Sequence, residues 1–514
     1  MSPYLFIFLV LVTGTVSGQN LPRDADGKPD LQGIWRPVNR ASFDLEDHVA
    51  RHDMPAGISV VDGGTIPYQP WAAEQKIQNF ENRASMDPLN NCYLPGVPRI
   101  MAMESPFQIF QTTNHIAITF EWQQVYRLIY TNGSPPLYAG IESWMGNSRG
   151  HWEGDVLVVE VIDQNDKTWL DAAGNFHSNE IHVVERYRLI DKDTIEYEAT
   201  IEDQNVFTRP WTIQLELQRQ KHMNGILEYQ CQAEKEEENG AFERDENTWY
   251  PALIPPNNEP FDPNAGQNIP LPTVTEEISR LSDGTPNIGG YYMADAGGAN
   301  YGLEEHEREI LLPPSRGQVI DPIDGILPYQ TWARSERIDR QLPHRGYDDP
   351  TAHCFVAGVP RSHYVPAPFF ILQPPGYIVV LHERMSWRRI ALNGEHSLPD
   401  TIRLWQGDSI GYWEEDTLIV ESKNFNGKSW LNEVGDVVSH MQTVVETFTP
   451  VDENQIIYRA TVSDPIPYTR PWTIEMPFNQ EDEELLEVAC LEDNADLQHL
   501  KDVQDEYRQN QNIE

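Results

Sequence analysis

The chain of 514 residues contains 80 Asp or Glu and 37 Lys or Arg, which gives it a formal net charge of −43. This composition argues against nucleic acid and anionic membranes as partners and is compatible with calcium or another cationic surface. Because 39% of the residues are hydrophobic and 14 are Trp, the chain can build a substantial core and is not a disordered acidic polymer.

The first 18 residues have the pattern of a secretory signal peptide. An apolar run extends from Tyr4 to Val12, and Val16 and Gly18 stand at the positions expected for cleavage after Gly18. No later segment has the uninterrupted apolar length of a transmembrane span. We therefore expect a secreted, extracellular protein, or a periplasmic or otherwise exported one if the source is a bacterium.

Residues 19–237 are predicted to form an all-β domain. Short runs of β-branched and aromatic residues alternate with polar ones and are separated by turn sequences. About eight such strands in an antiparallel meander predict either a closed barrel, which has no exposed edge, or a sandwich. Gly33-Ile34-Trp35 is similar to the G-x-W that opens lipocalin-type barrels. The predicted strands are FQIFQTT, HIAITFE, VYRLIYT, VLVVEVI, IHVVERYRLI, TIEYEATI, WTIQLEL and ILEYQCQ.

The same sequence blocks recur in the same order in the second half of the chain, which indicates a tandem duplication. A more divergent second copy of the domain is predicted at residues 278–498. An acidic linker rich in Pro and Asn joins the copies at 238–277, and a polar tail occupies 499–514. Clear matches are DPLNNCYLPGVPR (87–99) with DPTAHCFVAGVPR (349–361), WMGNSRGHWEGDVLVVE (144–160) with WQGDSIGYWEEDTLIVE (405–421), and DQNVFTRPWT (203–212) with DPIPYTRPWT (464–473).

The four cysteines occupy equivalent places in the two copies, Cys92 and Cys231 in the first and Cys354 and Cys490 in the second. Four cysteines allow three pairings, and the repeat favours one disulfide within each copy, Cys92–Cys231 and Cys354–Cys490. Such bonds fit an oxidising compartment. A metal site would need its cysteines clustered, and these are not.

Several of these blocks resemble a group of secreted bacterial proteins whose domains begin DGKPDLSGxW. The resemblance rests on DGKPDLQGIW, LPGVPR, SRGHWEGDVLVVE, NDKTWLD and TRPWT, and it covers nearly all of both copies, more closely in copy 1. The group has no assigned activity, so the resemblance implies the domain and its export but no reaction. The pattern of the group includes the two histidines of HSNEIH, here His177 and His182, whereas copy 2 has Val438 and Thr443 at these positions.

Residues that are kept in both copies are expected to serve the fold. Paired aromatic residues fill cores, and Arg209 and Arg470 of the TRPW turns are predicted to pair with acidic residues beneath the turn. The kept residues are Trp144/Trp405, Trp152/Trp413, Trp169/Trp430, Glu153/Glu414, Glu185/Glu446 and Asp203/Asp464.

Five residues of copy 1 have no counterpart in copy 2 and are the candidate functional residues, namely His115, Arg149, His151, His177 and His182. One hypothesis is a divalent-metal site built from His177, His182, His151 and His115. The other is metal-free acid–base catalysis, in which His177 or His182 moves a proton and Arg149, in a predicted Gly-rich turn, holds an anion. Neither spacing is a known metal or catalytic motif. Separately, Asn132-Gly133-Ser134 is a glycosylation sequon in a predicted hairpin turn, and only a eukaryotic source would use it.

Three classes of function remain open from the sequence. The Trp and Tyr content and the strand pattern favour a protein that binds a small apolar or amphipathic ligand inside each β-domain. An alternative is an enzyme whose histidines converge beside a cleft in copy 1, with copy 2 as a degenerate partner. The third is an acidic extracellular or biomineral matrix protein that binds calcium.

Overall fold

A computed structural model describes residues 21–233, 258–266, 269–274, 277–309, 312–384, 386–492 and 494–511. The predicted signal peptide (1–18) and the larger part of the predicted linker (238–277) lie outside these residues. The structure confirms the all-β class, since the chain forms two nine-stranded closed barrels in tandem with few helices.

The first barrel closes in chain order, because its last strand pairs with its first through Trp35 and Arg219. Neighbouring strands are antiparallel except β4 and β5, which pair in parallel through Tyr130 and Arg149. Closure gives every strand two neighbours and leaves no long edge for aggregation. The strands are β1 (Gly33–Pro37), β2 (Phe107–Gln111), β3 (His115–Phe120), β4 (Tyr126–Tyr130), β5 (Asn147–Glu153), β6 (Val156–Ile162), β7 (His182–Asp191), β8 (Thr194–Glu202) and β9 (Trp211–Arg219).

Hydrophobic alternation does not predict strand β5. Its inward-facing residues Ser148 and Gly150 are buried but not apolar. Gly150 is required by close packing, because a Cβ at this position would lie 2.8 Å from Cγ2 of Ile129 on the neighbouring strand.

The second barrel repeats this ring, again with one parallel pair, β14 and β15. It closes by pairing β10 with β19, and one short extra strand, β11, is added beside β19. The strands are β10 (Gly290–Ala294), β11 (Val319–Asp321), β12 (Phe369–Leu372), β13 (Tyr377–His382), β14 (Ser386–Leu392), β15 (Asp408–Glu414), β16 (Thr417–Lys423), β17 (Thr443–Pro450), β18 (Gln455–Ser463) and β19 (Trp472–Glu481).

The helices of the described residues take no part in the strand ladders. They are α1 (Pro70–Glu81), α2 (Arg83–Met86), α3 (Arg99–Ala102), α4 (Thr331–Arg340) and α5 (Ala495–Gln511), with short 3-10 turns at Pro88–Asn91, Ala299–Tyr301, Pro343–Asp348, Pro350–His353 and Arg361–His363. Helix α5 crosses the predicted boundary between copy 2 and the tail and packs back on barrel 2, where Tyr507 stacks on His344. Each helix in the described ranges is too short or too polar to cross a bilayer.

Both predicted disulfides, Cys92–Cys231 and Cys354–Cys490, are present. The segment predicted as the eighth strand, 226–232, does not join the barrel ladder and makes only one bridge, from Tyr229 to Trp122. We call residues 225–232 arm 1 and the equivalent residues 484–491 arm 2. Each disulfide ties an arm to its own barrel, and each arm runs between the two barrels.

The arms make reciprocal contacts. In arm 1, Glu228 accepts hydrogen bonds from the backbone N–H groups of Trp405 (2.6 Å) and Gln406 (3.1 Å) of barrel 2. In arm 2, Glu487 accepts equivalent bonds from Trp144 (2.7 Å) and Met145 (2.9 Å) of barrel 1. The two repeats are therefore joined like the subunits of a symmetric dimer.

Apolar strand faces complete the interface between the barrels. Tyr126 donates a hydrogen bond to the carbonyl oxygen of His382 (3.0 Å), and the equivalent Trp387 donates to the carbonyl oxygen of Phe120 (3.1 Å). The buried residues of this interface are Ile34, Phe110, Ala117, Tyr126 and Ile226 from the first repeat and Tyr291, Phe370, Leu372, Val379, Leu381 and Trp387 from the second.

Candidate functional site

His177 is a buried anchor of its own loop, between β6 and β7. Its side chain is 2% exposed. The Nε2 atom lies 2.6 Å from Oγ1 of Thr168, and the Nδ1 atom lies 2.9 Å from the carbonyl oxygen of Ser178. Burial lowers the pKa of this imidazole. Both ring nitrogens are therefore engaged, and the residue holds the approach to β7 in place.

The other three candidate histidines lie at separate places. His182 begins β7 and is partly exposed. His151 is exposed on β5, with its Nε2 atom 3.6 Å from Oε1 of Glu153. His115 begins β3 and packs edge-on against Phe370 of barrel 2, where burial lowers its pKa to about 4. Within the described residues, no three His, Cys, Asp or Glu side chains are grouped to hold a metal ion, so the metal hypothesis gains no support.

Arg149 lies within strand β5 and not in a turn. Both carboxylate oxygens of Glu484, at the start of arm 2, lie 2.7 Å from its Nη2 atom, and its guanidinium is 4.2 Å from the centre of the Tyr130 ring. Arg149 was predicted to hold an anion, and it does bind a carboxylate, but this carboxylate is a side chain of the same protein. Arg149 thus fixes arm 2 to barrel 1.

Asn132 is exposed in the loop after β4. Its Oδ1 atom accepts a hydrogen bond from the backbone N–H of Ser134 at 3.0 Å. The loop leads to a parallel neighbour, β5, so the hairpin predicted here is wrong, because a parallel pair needs a crossover connection. Use of the sequon stays a prediction.

The interior of barrel 1 is filled around a buried ion pair. Arg127 donates two hydrogen bonds to Glu185, at 3.0 and 2.5 Å, and both side chains are at most 1% exposed. The hydroxyls of Tyr187 (3.0 Å) and Tyr197 (2.8 Å) donate to the same carboxylate. These four side chains occupy the place where a lipocalin-type ligand would lie. The predicted ligand space inside each barrel is therefore not confirmed.

Barrel 2 keeps this pair as Arg388 and Glu446, with the hydroxyl of Tyr458 2.9 Å from Glu446. Phe448 stands at the position equivalent to Tyr187, and the Nε2 atom of His363 lies 3.4 Å from Oε1 of Glu446 and 3.2 Å from Nη1 of Arg388. Burial opposes ionisation of Glu446, but Arg388 and His363 outweigh it and lower the pKa of Glu446 to about 2.

A cavity of about 90 Å³ lies between the barrels, beside both disulfides. Residues at equivalent positions of the two repeats line it, including Leu94 with Val356 and Tyr93 with Phe355. The ring of Trp144 adds to the apolar wall. We call this space the central cavity.

Four polar side chains in the wall of the central cavity have an atom without a hydrogen-bond partner among the described residues. These atoms are Nε2 of Gln230, Oε1 of Gln232, Oγ of Ser362 and Nε2 of His382. The four residues are between 3% and 9% exposed. Leaving a buried polar atom unpaired costs about 1–3 kcal/mol, so such atoms usually have a partner in water or a ligand.

His382 ends β13 at the position where barrel 1 has Phe120. Its Nδ1 atom lies 3.4 Å from Oγ of Ser386. Burial, His363 and Arg388 together lower the pKa of His382 well below its ordinary value. The imidazole is therefore neutral at neutral pH, with one nitrogen as donor and the other as acceptor. Such a ring is a weak base, better suited to hydrogen bonding with a ligand than to proton abstraction.

Gln230 and Gln232 are polar only in copy 1, where copy 2 has Ala489 and Leu491, and were missed because only His and Arg were taken as candidates. Ser362 and His382 were missed because they are polar only in copy 2. The opposite comparison finds them: Ser362, His363 and His382 of copy 2 stand where copy 1 has Ile100, Met101 and Phe120. An apolar core position that becomes polar in one copy is therefore the available sequence signal for Ser362 and His382 of this site, and for His363 inside barrel 2.

No protein-family model matches the chain, and a search of curated proteins finds no significant match.

Proposed function

We propose that the protein binds a small, uncharged molecule with both apolar and hydrogen-bonding groups in the central cavity. The observation that carries this proposal is the set of four unpartnered polar atoms in a wall that is otherwise largely apolar. A few convergent polar groups in an apolar site are the usual arrangement for orienting a small ligand.

The size of the cavity limits the ligand. Its volume is about 90 Å³, whereas a dry engineered cavity of about 150 Å³ accommodates benzene. The ligand, or the part of it that enters the cavity, therefore has few non-hydrogen atoms. The unpartnered groups, on Gln230, Gln232, Ser362 and His382, are all neutral, which favours an uncharged ligand over an ion. Of the two charged lining residues, Glu492 is paired with Lys167 and Arg384 is exposed.

The proposal includes an exported location, which fits the resemblance to secreted bacterial proteins described above. Two disulfides support it, because such bonds persist in oxidising compartments and are rare in the cytosol.

The test uses the full chain and a variant in which copy 2 receives the residues of copy 1, Ser362→Ile with His382→Phe. Native mass spectrometry and saturation-transfer NMR with acetone, acetamide and propan-2-ol, which are small enough for the cavity, would measure binding, with the exposed His151→Ala as the matched control. We expect at least one probe to bind the wild type and His151→Ala and to lose its binding in the double variant. Equal binding by all three proteins, or no binding of any probe to the wild type, would contradict the proposal.

A further inference from the structure

A second cleft between the barrels, of about 470 Å³, shares no lining residue with the central cavity. Arg219, at the end of β9, enters it from barrel 1, and Arg389, on β14, enters it from barrel 2. Two guanidinium groups from different repeats thus converge on one space in a protein of net charge −43.

Neither guanidinium has a carboxylate within ion-pair distance in the part of the chain that the structure describes. Arg219 donates to the carbonyl oxygens of Lys192 (2.8 Å) and Gln32 (2.6 Å). Arg389 donates to the carbonyl oxygen of Asn224 and to Oγ of Ser397. All of these acceptors are neutral. Burial lowers the pKa of both arginines, and Asp30 and Asp193 near Arg219, like Tyr377 and Asp408 near Arg389, only partly offset this effect.

Other residues of the cleft point to the same kind of ligand. Gln108 is 2% exposed, and its amide oxygen has no partner among the described residues. Because the oxygen and nitrogen of an amide exchange places on rotation, this group can present its NH2 to a ligand. Lys221 also lines the cleft, where it pairs with Asp193 at 2.6 Å, and Glu395 is an acidic residue of the lining.

The repeat provides an internal comparison. The residues equivalent to Arg219, Lys221 and Arg389 are Gln480, Asp482 and Leu128. Gln480 and Asp482 line the corresponding cleft on the other side of the pseudo-symmetric pair, which has a volume of about 670 Å³ and also contains Glu481 and Glu483. The positive charge is therefore specific to one of the two clefts, and general packing of the barrels does not require it.

We propose that the cleft between Arg219 and Arg389 binds an oxyanion, the carboxylate or phosphate group of a small molecule. Guanidinium groups recognise both carboxylate and phosphate through paired N–H donors, and an anion here would supply the counter-charge that the two partly buried arginines lack. This site is independent of the ligand in the central cavity.

Isothermal titration of the full chain with inorganic phosphate and with acetate, at constant ionic strength, tests the proposal. We expect saturable binding of at least one of the two anions to a single site, and the anion that binds more tightly identifies the group. Arg219→Gln and Arg389→Gln should each weaken binding by at least about tenfold. The matched control is Arg188→Gln, which removes an exposed guanidinium outside the cleft and should bind like the wild type.

Arg389→Lys keeps the charge but loses the planar fork, so it should bind the anion more weakly than the wild type even if Arg389→Gln does not fold. The central-cavity variant with Ser362→Ile and His382→Phe should bind phosphate or acetate normally, which separates the two proposals. Absence of saturable binding of both anions to the wild type would overturn the inference. So would wild-type affinity in the variants of Arg219 and Arg389.

Discussion

Glu228 and Glu487 occupy equivalent positions in the two arms, and each accepts two backbone N–H groups from the opposite barrel. Each carboxylate therefore accepts hydrogen bonds from backbone N–H groups in a loop of the opposite repeat. The consequence is mutual dependence, because removing either arm leaves unpaired N–H groups in the other barrel and opens one side of the central cavity.

The pH dependence of stability should report these two carboxyl groups. Burial raises the pKa of Glu228 and of Glu487 from 4.5 to about 7. Between these values the folded protein keeps protons that the unfolded chain has released, so the stabilisation is full below pH 4.5 and is lost as the pH rises through about 7. We expect the free energy of unfolding, measured in urea at a series of pH values, to decrease from pH 5 to pH 8.

Electrostatic repulsion within a chain of net charge −43 also lowers the free energy of unfolding as the pH rises. A variant must therefore separate this repulsion from the titration of the two carboxyl groups. In the double variant Glu228→Gln/Glu487→Gln, the amide oxygens still accept hydrogen bonds but do not titrate. The decrease between pH 5 and pH 8 should become smaller by on the order of 5 kcal/mol, about half of it from each carboxyl group. A slope identical to that of the wild type would show that the two carboxyl groups do not titrate in this range.

Removing one partner of the buried pairs Arg127–Glu185 and Arg388–Glu446 should lower the free energy of unfolding strongly. Replacing both partners with apolar side chains should lower it much less. Arg127→Met leaves Glu185 charged and without its cationic partner in the barrel interior, and should lower the free energy of unfolding by about 3–5 kcal/mol. The double variant Arg127→Met/Glu185→Leu removes both charges and should recover most of this loss. Chemical denaturation measures both values, and a single variant that costs less than the double variant would contradict the account.

The two histidines of HSNEIH should differ in their effect on stability. His177→Ala removes the partner of Thr168 in a buried loop and should cost about 1–3 kcal/mol. His182→Ala affects a partly exposed residue at a strand end and should change stability by less than about 0.5 kcal/mol. A shared metal site would make the two variants equally damaging, and would also reveal itself in elemental analysis as about one metal per chain that both variants lose.

The strands and the disulfides could be predicted from the sequence because their signals are local or repeated. Alternating apolar residues placed β6 to β9, and the equivalent positions of the cysteines selected the correct pairing. The inward position of Glu185 could also be predicted, since Glu185 lies on the same strand face as Val183 and Tyr187.

The sites could not be predicted in this way because they form between segments far apart in the chain. The central cavity needs arm 2 and both disulfides, and the segment predicted as an eighth strand proved to be arm 1. Arg149 looked available for a ligand because no sequence pattern shows that Glu484, more than 300 residues later, reaches it. Strand β5 has no apolar periodicity, since its inner face is Ser148 and Gly150.

A crystal structure of the native protein that resolves the central cavity tests the main claim most directly. The account predicts electron density for a small molecule other than water, within hydrogen-bond distance of Nε2 of His382 and Oγ of Ser362. The contradicting result is a cavity in which all four polar atoms, on Gln230, Gln232, Ser362 and His382, bond to ordered waters or to one another and no other molecule is present.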